Sequence, residues 1–225
     1  MLNANDSLNN LTTEDDELIQ KQIREYFEEM ELPEEEIEKR IIFATDIEKV
    51  FRNLFILMLG AELVGYDLNS KADEYTEYAY GRLKDAMVDN GYSKEQGYEP
   101  YGYIEQYAHA RCKQIVDITI LHKADKFYLS SSHSIAIAED ECNAIANYDM
   151  EQKAIAQGYT MKTWVTMRDK KVRHTHMMCD GETRNIFDAF TVGKYQMMFP
   201  CDSSLGATQK EIANCRCVVH YSGKI

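Results

Sequence analysis

The sequence predicts an α+β protein, with a mostly helical N-terminal part followed by a small C-terminal α+β module with short antiparallel strands. Two observations lead to this prediction. Up to Gln157, apolar residues recur at steps of three and four, which is the period of an amphipathic helix. After Gly158 the residues alternate and become rich in threonine, valine and methionine, which is typical of strands.

Five helices are predicted from this periodicity and from residues that begin or end helices. Pro33 suits the first position of the second helix, and the glutamates that follow it complement the helix dipole. Asn90-Gly91 and Gly158 are stop signals. The predicted ranges are Thr12 to Met30, Pro33 to Met58, Ser70 to Met87, Tyr103 to Leu121 and Ser134 to Gln157, with a loop rich in glycine and tyrosine at 91–103.

The C-terminal module is expected to contain strands joined by tight turns. The alternating segment from Tyr159 to Asp169 predicts the first strand. Asp180-Gly181 and Val192-Gly193 are turn signals. CRCVVHYS predicts a closing strand, with Cys215, Cys217 and Val219 on one face.

The charge is unevenly distributed along the chain, and this limits the expected partners. The formal net charge is −13, and residues 1–110 hold 25 acidic and 10 basic side chains. Because phosphate binding requires clustered lysine and arginine, we do not expect the acidic N-terminal half to bind nucleic acid directly.

The longest apolar run, from Leu54 to Gly60, is far shorter than the roughly 20 residues of a membrane-spanning helix. We therefore expect no membrane partner, and the polar N-terminus does not resemble a secretory signal.

Two segments carry most of the residues with chemical potential: VRHTHMMCDGETRNIF at 172–187 and NCRC at 214–217. Thiolates and imidazoles are the ligands that zinc prefers. His174 and His176 would share a face if their backbone were extended, and so would Cys215 and Cys217. The spacing is not that of a zinc finger, so two interpretations stay open: zinc, with His176, Cys215 and Cys217 as candidate ligands, or buried thiols beside hydrogen-bonded histidines. We expect no other cofactor.

Catalytic and structural roles are both conceivable for the polar residues around these segments. Histidines near Arg173 could act as general acid and base on a phosphodiester, but the pattern has low specificity. Trp164, the only tryptophan, predicts a core residue. We expect Asp169 and Arg173 to form an ion pair across a turn. Arg216 is expected to bind a carboxylate such as Asp180 or Asp202.

The order of these residues resembles the head-morphogenesis domain of the phage Mu F-like minor capsid proteins. The resemblance covers about residues 115–221 and includes Phe199-Pro200 and Asn214 to Cys217. Cys179 stands where the family pattern commonly has an aliphatic residue, and the histidine of the pattern corresponds to His176 and not to His174. The structural or motif residues singled out are Trp164, Asp169, Arg173, His176, Asp180, Gly181, Pro200, Asp202, Cys215, Arg216 and Cys217.

This resemblance implies a low-copy, portal-associated minor capsid protein of a tailed phage or prophage, acting in procapsid assembly and in DNA packaging or ejection. It implies residues 115–225 as the head-morphogenesis domain and leaves residues 1–114 as an acidic helical region that docks on portal, scaffold or major capsid protein. The location would be the virion, and the host cytoplasm during assembly. The expectation is a protein without enzymatic activity. The alternatives are a toxin or nuclease effector using His176 and Arg173, or a zinc-stabilised binding module.

Overall fold

A computed structural model of the chain describes residues 4–13, 16–92 and 101–224. It confirms the α+β class, with long helices first and short antiparallel strands after them. Most of the predicted Gly- and Tyr-rich loop lies outside the described residues. Within the described ranges, no helix is both long enough and apolar enough to cross a membrane.

The long helices are α1 (Ala4–Thr13), α2 (Asp16–Glu28), α3 (Glu34–Leu63), α4 (Ala72–Asp89), α5 (Tyr101–Leu121) and α6 (Ser131–Ala156). The last five correspond to the five predicted helices, with ends up to five residues from the predicted ones, and α1 was not predicted. Pro33 immediately precedes α3, and its carbonyl accepts hydrogen bonds from the amides of Glu36 and Ile37 at 2.9 and 3.0 Å. A 3₁₀ turn at Leu68–Lys71 leads into α4, and another lies at Lys126–Leu129.

The chain divides into two compact units. The first unit contains Met1–Ile23 and Ile42–Ala138, and the second contains Arg24–Ile41 and Glu139–Ile225. The core of the first unit is formed by apolar side chains of its helices, among them Ile47, Phe51, Phe55, Leu83 and Val116. Two polar contacts fasten its helices: Ser134 donates to Glu48 at 2.7 Å, and Arg52 pairs with Asp16 at 2.6 Å.

The second unit contains all the strands that the structure describes. β1 (Tyr159–Val165) is the centre of a three-stranded antiparallel sheet, between β2 (Thr183–Asn185) and β5 (Val218–Lys224). β3 (Phe190–Val192) and β4 (Tyr195–Met197) form a hairpin. Two short helices complete the unit: α7 (His174–Met177) and α8 (Gln209–Ile212).

A buried ion pair ties β1 to the end of α6 within the second unit. Lys162 and Glu151 are both almost fully buried, and the Lys162 ammonium lies 2.7 Å from the Glu151 carboxylate. The ammonium also donates to the Met198 carbonyl at 2.7 Å. Burial raises the pKa of Glu151, and the nearby ammonium partly offsets this effect. These contacts satisfy a cation that would otherwise be costly to bury.

The predicted closing strand begins later than the sequence suggested. β5 starts at Val218, so Cys215 and Cys217 precede it. The Cys215 carbonyl accepts hydrogen bonds from the Tyr26 hydroxyl and from Asn143 Nδ2, each at 3.1 Å. Because this carbonyl is engaged by side chains, it is not available to a strand partner.

Candidate functional site

The predicted site residues all fall in the second unit, on β1 and on the loops and short helices that follow it. Gly181 adopts the left-handed backbone expected of the Asp180-Gly181 turn, with φ of +78°, and its amide donates to the Trp164 carbonyl at 2.8 Å. Asp180 accepts from the Thr166 amide at 2.9 Å and from Arg168 Nε at 2.8 Å. The turn is thus anchored to the end of β1.

The predicted ion pair between Asp169 and Arg173 is wrong. Asp169 Oδ2 instead accepts from Arg216 at 2.7 Å, while Oδ1 accepts from the Lys171 amide at 2.8 Å. The Arg216 guanidinium holds the pKa of the Asp169 carboxyl below its ordinary value. Arg216 also pairs with Glu29 on the segment after α2, and not with the Asp180 or Asp202 that the sequence suggested.

The remaining predicted polar residues also have structural partners. Arg173 precedes α7 and donates to the Ala213 carbonyl. Asp202 is buried and accepts from the amides of Met198 and Ser204, each at 2.8 Å. The Pro200 carbonyl accepts from Asn147 Nδ2 at 2.9 Å. These contacts hold loops in place. Arg173, Asp202 and Pro200 do not bring exposed charged groups together as a binding site would.

Three of the predicted residues converge at one buried position, which we call the His/Cys cluster: His176, Cys215 and Cys217. His176 Nδ1 lies 3.4 Å from Cys215 Sγ and 3.5 Å from Cys217 Sγ. The ligand atoms of all three residues lie within 4.8 Å of one another. The expected common face of the two cysteines is therefore confirmed, although they do not lie in a strand.

His174 is not part of the cluster, because residues 174–177 form a helical turn and not an extended segment. Residues two apart on a helix point in different directions. His176 is 1% exposed, whereas His174 is exposed to solvent.

The protonation of the His176 ring follows from its hydrogen bonds. Nε2 lies 3.1 Å from the Glu211 carbonyl oxygen, which can only accept. Nε2 therefore carries the proton, and in the neutral ring the lone pair of Nδ1 is directed at the two sulfurs. Burial lowers the pKa of His176, but its contact with Cys215 outweighs this effect and the net shift is upward.

A third buried thiol, Cys201, lies close to the cluster and donates to the Ile212 and Cys215 carbonyls, each at 3.8 Å. Hydrogen bonds from Cys201 and then Cys217 lower the pKa of Cys215 well below that of a free thiol. Contact with Cys215, together with burial, raises the pKa of Cys201 and Cys217. Two cysteine sulfurs and one imidazole nitrogen are ligands that a soft or borderline metal ion prefers.

Trp164 packs against this cluster as the predicted core residue. It is fully buried, and its ring meets Phe190 and His176 edge to face, with centroids 5.2 and 5.6 Å apart. Its Nε1 atom has no hydrogen-bond partner.

Some residues of the site were not among those singled out from the sequence. The Cys201 thiol donates to the Cys215 carbonyl at 3.8 Å, but nothing in its spacing connects it to Cys215. Glu211 accepts from His176 through its backbone carbonyl, and a contact of this kind cannot be predicted from residue type. Arg40 donates to Asn143, which binds the Cys215 carbonyl. Arg40 carried a usable signal, because it falls between Ile37 and Ala44 on the apolar stripe of α3.

No protein-family model matches this chain, and no curated protein or solved structure is significantly similar to it.

Proposed function

We propose that this chain is a minor capsid protein of a tailed phage or prophage that acts in head morphogenesis. It is a low-copy structural component associated with the portal, present in the procapsid or head interior and in the host cytoplasm during assembly. It has no turnover of its own. Its partners are the portal, scaffold or major capsid protein, and the acidic helical region at residues 1–114 is the docking part.

The observation that carries this proposal is the clustering of residues that the Mu F-like resemblance singles out. Trp164, His176, Cys215 and Cys217 come from separate parts of the sequence and meet in one buried cluster. Residues that pack against one another in a dense core depend on each other's size and shape. A set of residues that defines a domain is expected to pack together in this way.

Burial of His176 supports a structural role more than an effector role. A general acid or base must come within hydrogen-bond distance of its substrate. His176 is 1% exposed, Nε2 is held by the Glu211 carbonyl, and Nδ1 faces two sulfurs. Arg173, the second residue of the effector alternative, donates to the Ala213 carbonyl.

Gene deletion with complementation tests the proposal. We expect deletion to lower the yield of DNA-filled particles, and the full chain supplied in trans should restore it. Complementation with the His174→Ala variant should restore particles as well as the wild type does, because this histidine is exposed and lies outside the cluster. Normal particle yield without the gene would contradict the proposal. Growth arrest on expression of the wild type that disappears in the His176→Ala variant would favour an effector instead.

A further inference from the structure

The distances in the His/Cys cluster match those within a zinc coordination shell. Zinc binds imidazole nitrogen at about 2.0–2.1 Å and thiolate sulfur at about 2.3 Å, so a tetrahedral shell places these atoms about 3.6 Å apart. His176 Nδ1 lies 3.4 and 3.5 Å from the sulfurs of Cys215 and Cys217. These separations correspond to two edges of the tetrahedron without rearrangement of the side chains.

The hydrogen bonds around the cluster prepare its atoms for a metal ion. Metal-binding histidines typically donate their other ring N–H to a carbonyl or carboxylate, which fixes the tautomer. Nε2 of His176 does this with the Glu211 carbonyl at 3.1 Å, and the Glu211 carboxylate lies 3.4 Å away. The lone pair of Nδ1 is thereby free for a ligand.

An unpartnered donor in the same place gives a second, independent indication. Trp164 is fully buried, its ring packs edge to face on His176 with centroids 5.6 Å apart, and its Nε1 has no hydrogen-bond acceptor. A buried N–H without an acceptor is destabilising. A metal-bound thiolate in this cluster would supply a negatively charged acceptor, because metal binding deprotonates the thiol.

We propose that His176, Cys215 and Cys217 bind one zinc ion and supply three of its four ligands. All three side chains are buried, and their ligand atoms lie within 4.8 Å of one another. Cys201 is buried nearby, but its thiol donates to the Ile212 and Cys215 carbonyls, each at 3.8 Å, so we do not include it in the site.

Cysteine and histidine ligands in a site closed to solvent are typical of structural zinc sites. Here the ion would join α7 to the segment leading into β5. It would therefore stabilise the second unit and not catalyse a reaction. This inference is independent of the proposed role in the phage head.

Metal analysis of the full chain tests the zinc site. We expect the purified protein to contain one zinc ion per chain by mass spectrometry of the metal, and chelation should lower the unfolding midpoint. Added Zn²⁺ should restore the midpoint. Protein that contains no zinc, and whose stability responds to neither chelator nor Zn²⁺, would overturn the proposal.

Cysteine variants locate the ion within the chain. Cys215→Ser and Cys217→Ser should each lose zinc, whereas Cys179→Ser should keep it. Cys179 is the matched control: it is equally buried in the same unit, but its thiol donates to the Thr191 carbonyl at 3.3 Å. Full zinc content in Cys215→Ser or Cys217→Ser would overturn the site.

Cobalt substitution keeps the proposal testable if these variants do not fold. The wild-type chain, stripped of metal and loaded with Co²⁺, should show the intense visible bands of a tetrahedral ion together with thiolate-to-metal charge transfer. The weak spectrum of an octahedral aquated ion would contradict a Cys/His shell.

Discussion

At the scale of single residues, Arg40 shows how this protein stabilises a charge in its interior. The guanidinium is fully buried and binds Glu36 at 2.9 Å, one helical turn earlier. It also donates to the side-chain oxygens of Asn143 and Asn147 at 2.8 and 2.9 Å. Because these donors face matched acceptors, the desolvation of the cation is compensated.

Replacement of Arg40 by methionine should destabilise the second unit strongly. The variant keeps a similar volume but leaves Glu36, Asn143 and Asn147 without their donor, so we expect a loss on the order of 3–5 kcal/mol. Trp164 is the only tryptophan, so its fluorescence during urea unfolding reports on this unit.

Arg24→Met is the control for the Arg40 variant. The Arg24 side chain is 43% exposed where it pairs with Glu38, and its removal should cost about 1 kcal/mol or less. Equal losses in the two variants would contradict this interpretation of Arg40.

The sequence predicted which residues are important more reliably than it predicted which residues they contact. Trp164 is in the core as predicted, and His176 was correctly separated from His174. The partner of Asp169 was predicted wrongly, because Arg216 is distant in sequence and spacing along the chain favours the nearer Arg173. Long-range pairs of this kind depend on the tertiary fold and leave no local pattern.

At the scale of elements, the hairpin β3–β4 is fastened to α7 by its turn. Gly193 begins the two-residue connection with φ of +60°, which suits the mirror-image turns of such hairpins. A Cβ atom at this position would lie 2.8 Å from Thr175 Cγ2 on α7. The sequence signal at Val192-Gly193 predicted the turn, but only the structure explains why the close approach requires glycine.

Gly193→Ala should therefore destabilise the second unit more than Gly181→Ala. Both positions have positive φ, which costs an alanine about 1–2 kcal/mol, but no atom lies within 4 Å of a Cβ at Gly181. The combined variant Gly193→Ala/Thr175→Ser removes the obstructing methyl group and retains a hydroxyl for Glu211. We expect it to recover the difference in urea unfolding. If the double variant is no more stable than Gly193→Ala, the contact with α7 is not the cause.

Helices were predictable where apolar periodicity is strong and less so elsewhere. α4 to α6 end within two residues of their predicted ends, and α3 ends five residues later than predicted, at Leu63. α1 was missed because only Ala4, Leu8 and Leu11 of its ten residues are apolar. The helical turn at His174–Met177 was missed for a different reason. Four residues are too few to show a period, so the histidine pair looked extended.

At the scale of the whole molecule, each unit is built from two separate segments of the chain. The second unit combines Arg24–Ile41 with Glu139–Ile225, so it is assembled from distant parts of the sequence. Deleting residues 1–110 would remove Arg40, Glu29 and Tyr26 together with the acidic helices. A test of docking by the N-terminal region therefore requires surface substitutions in the full chain and not truncation.

The measurement that tests the proposed function most directly is quantitative mass spectrometry of purified procapsids and virions, compared with the soluble fraction of the same cells. We predict that the chain is present in particles at low copy number relative to the major capsid protein. Its absence from particles, with the protein found free or secreted, would contradict a role in the phage head.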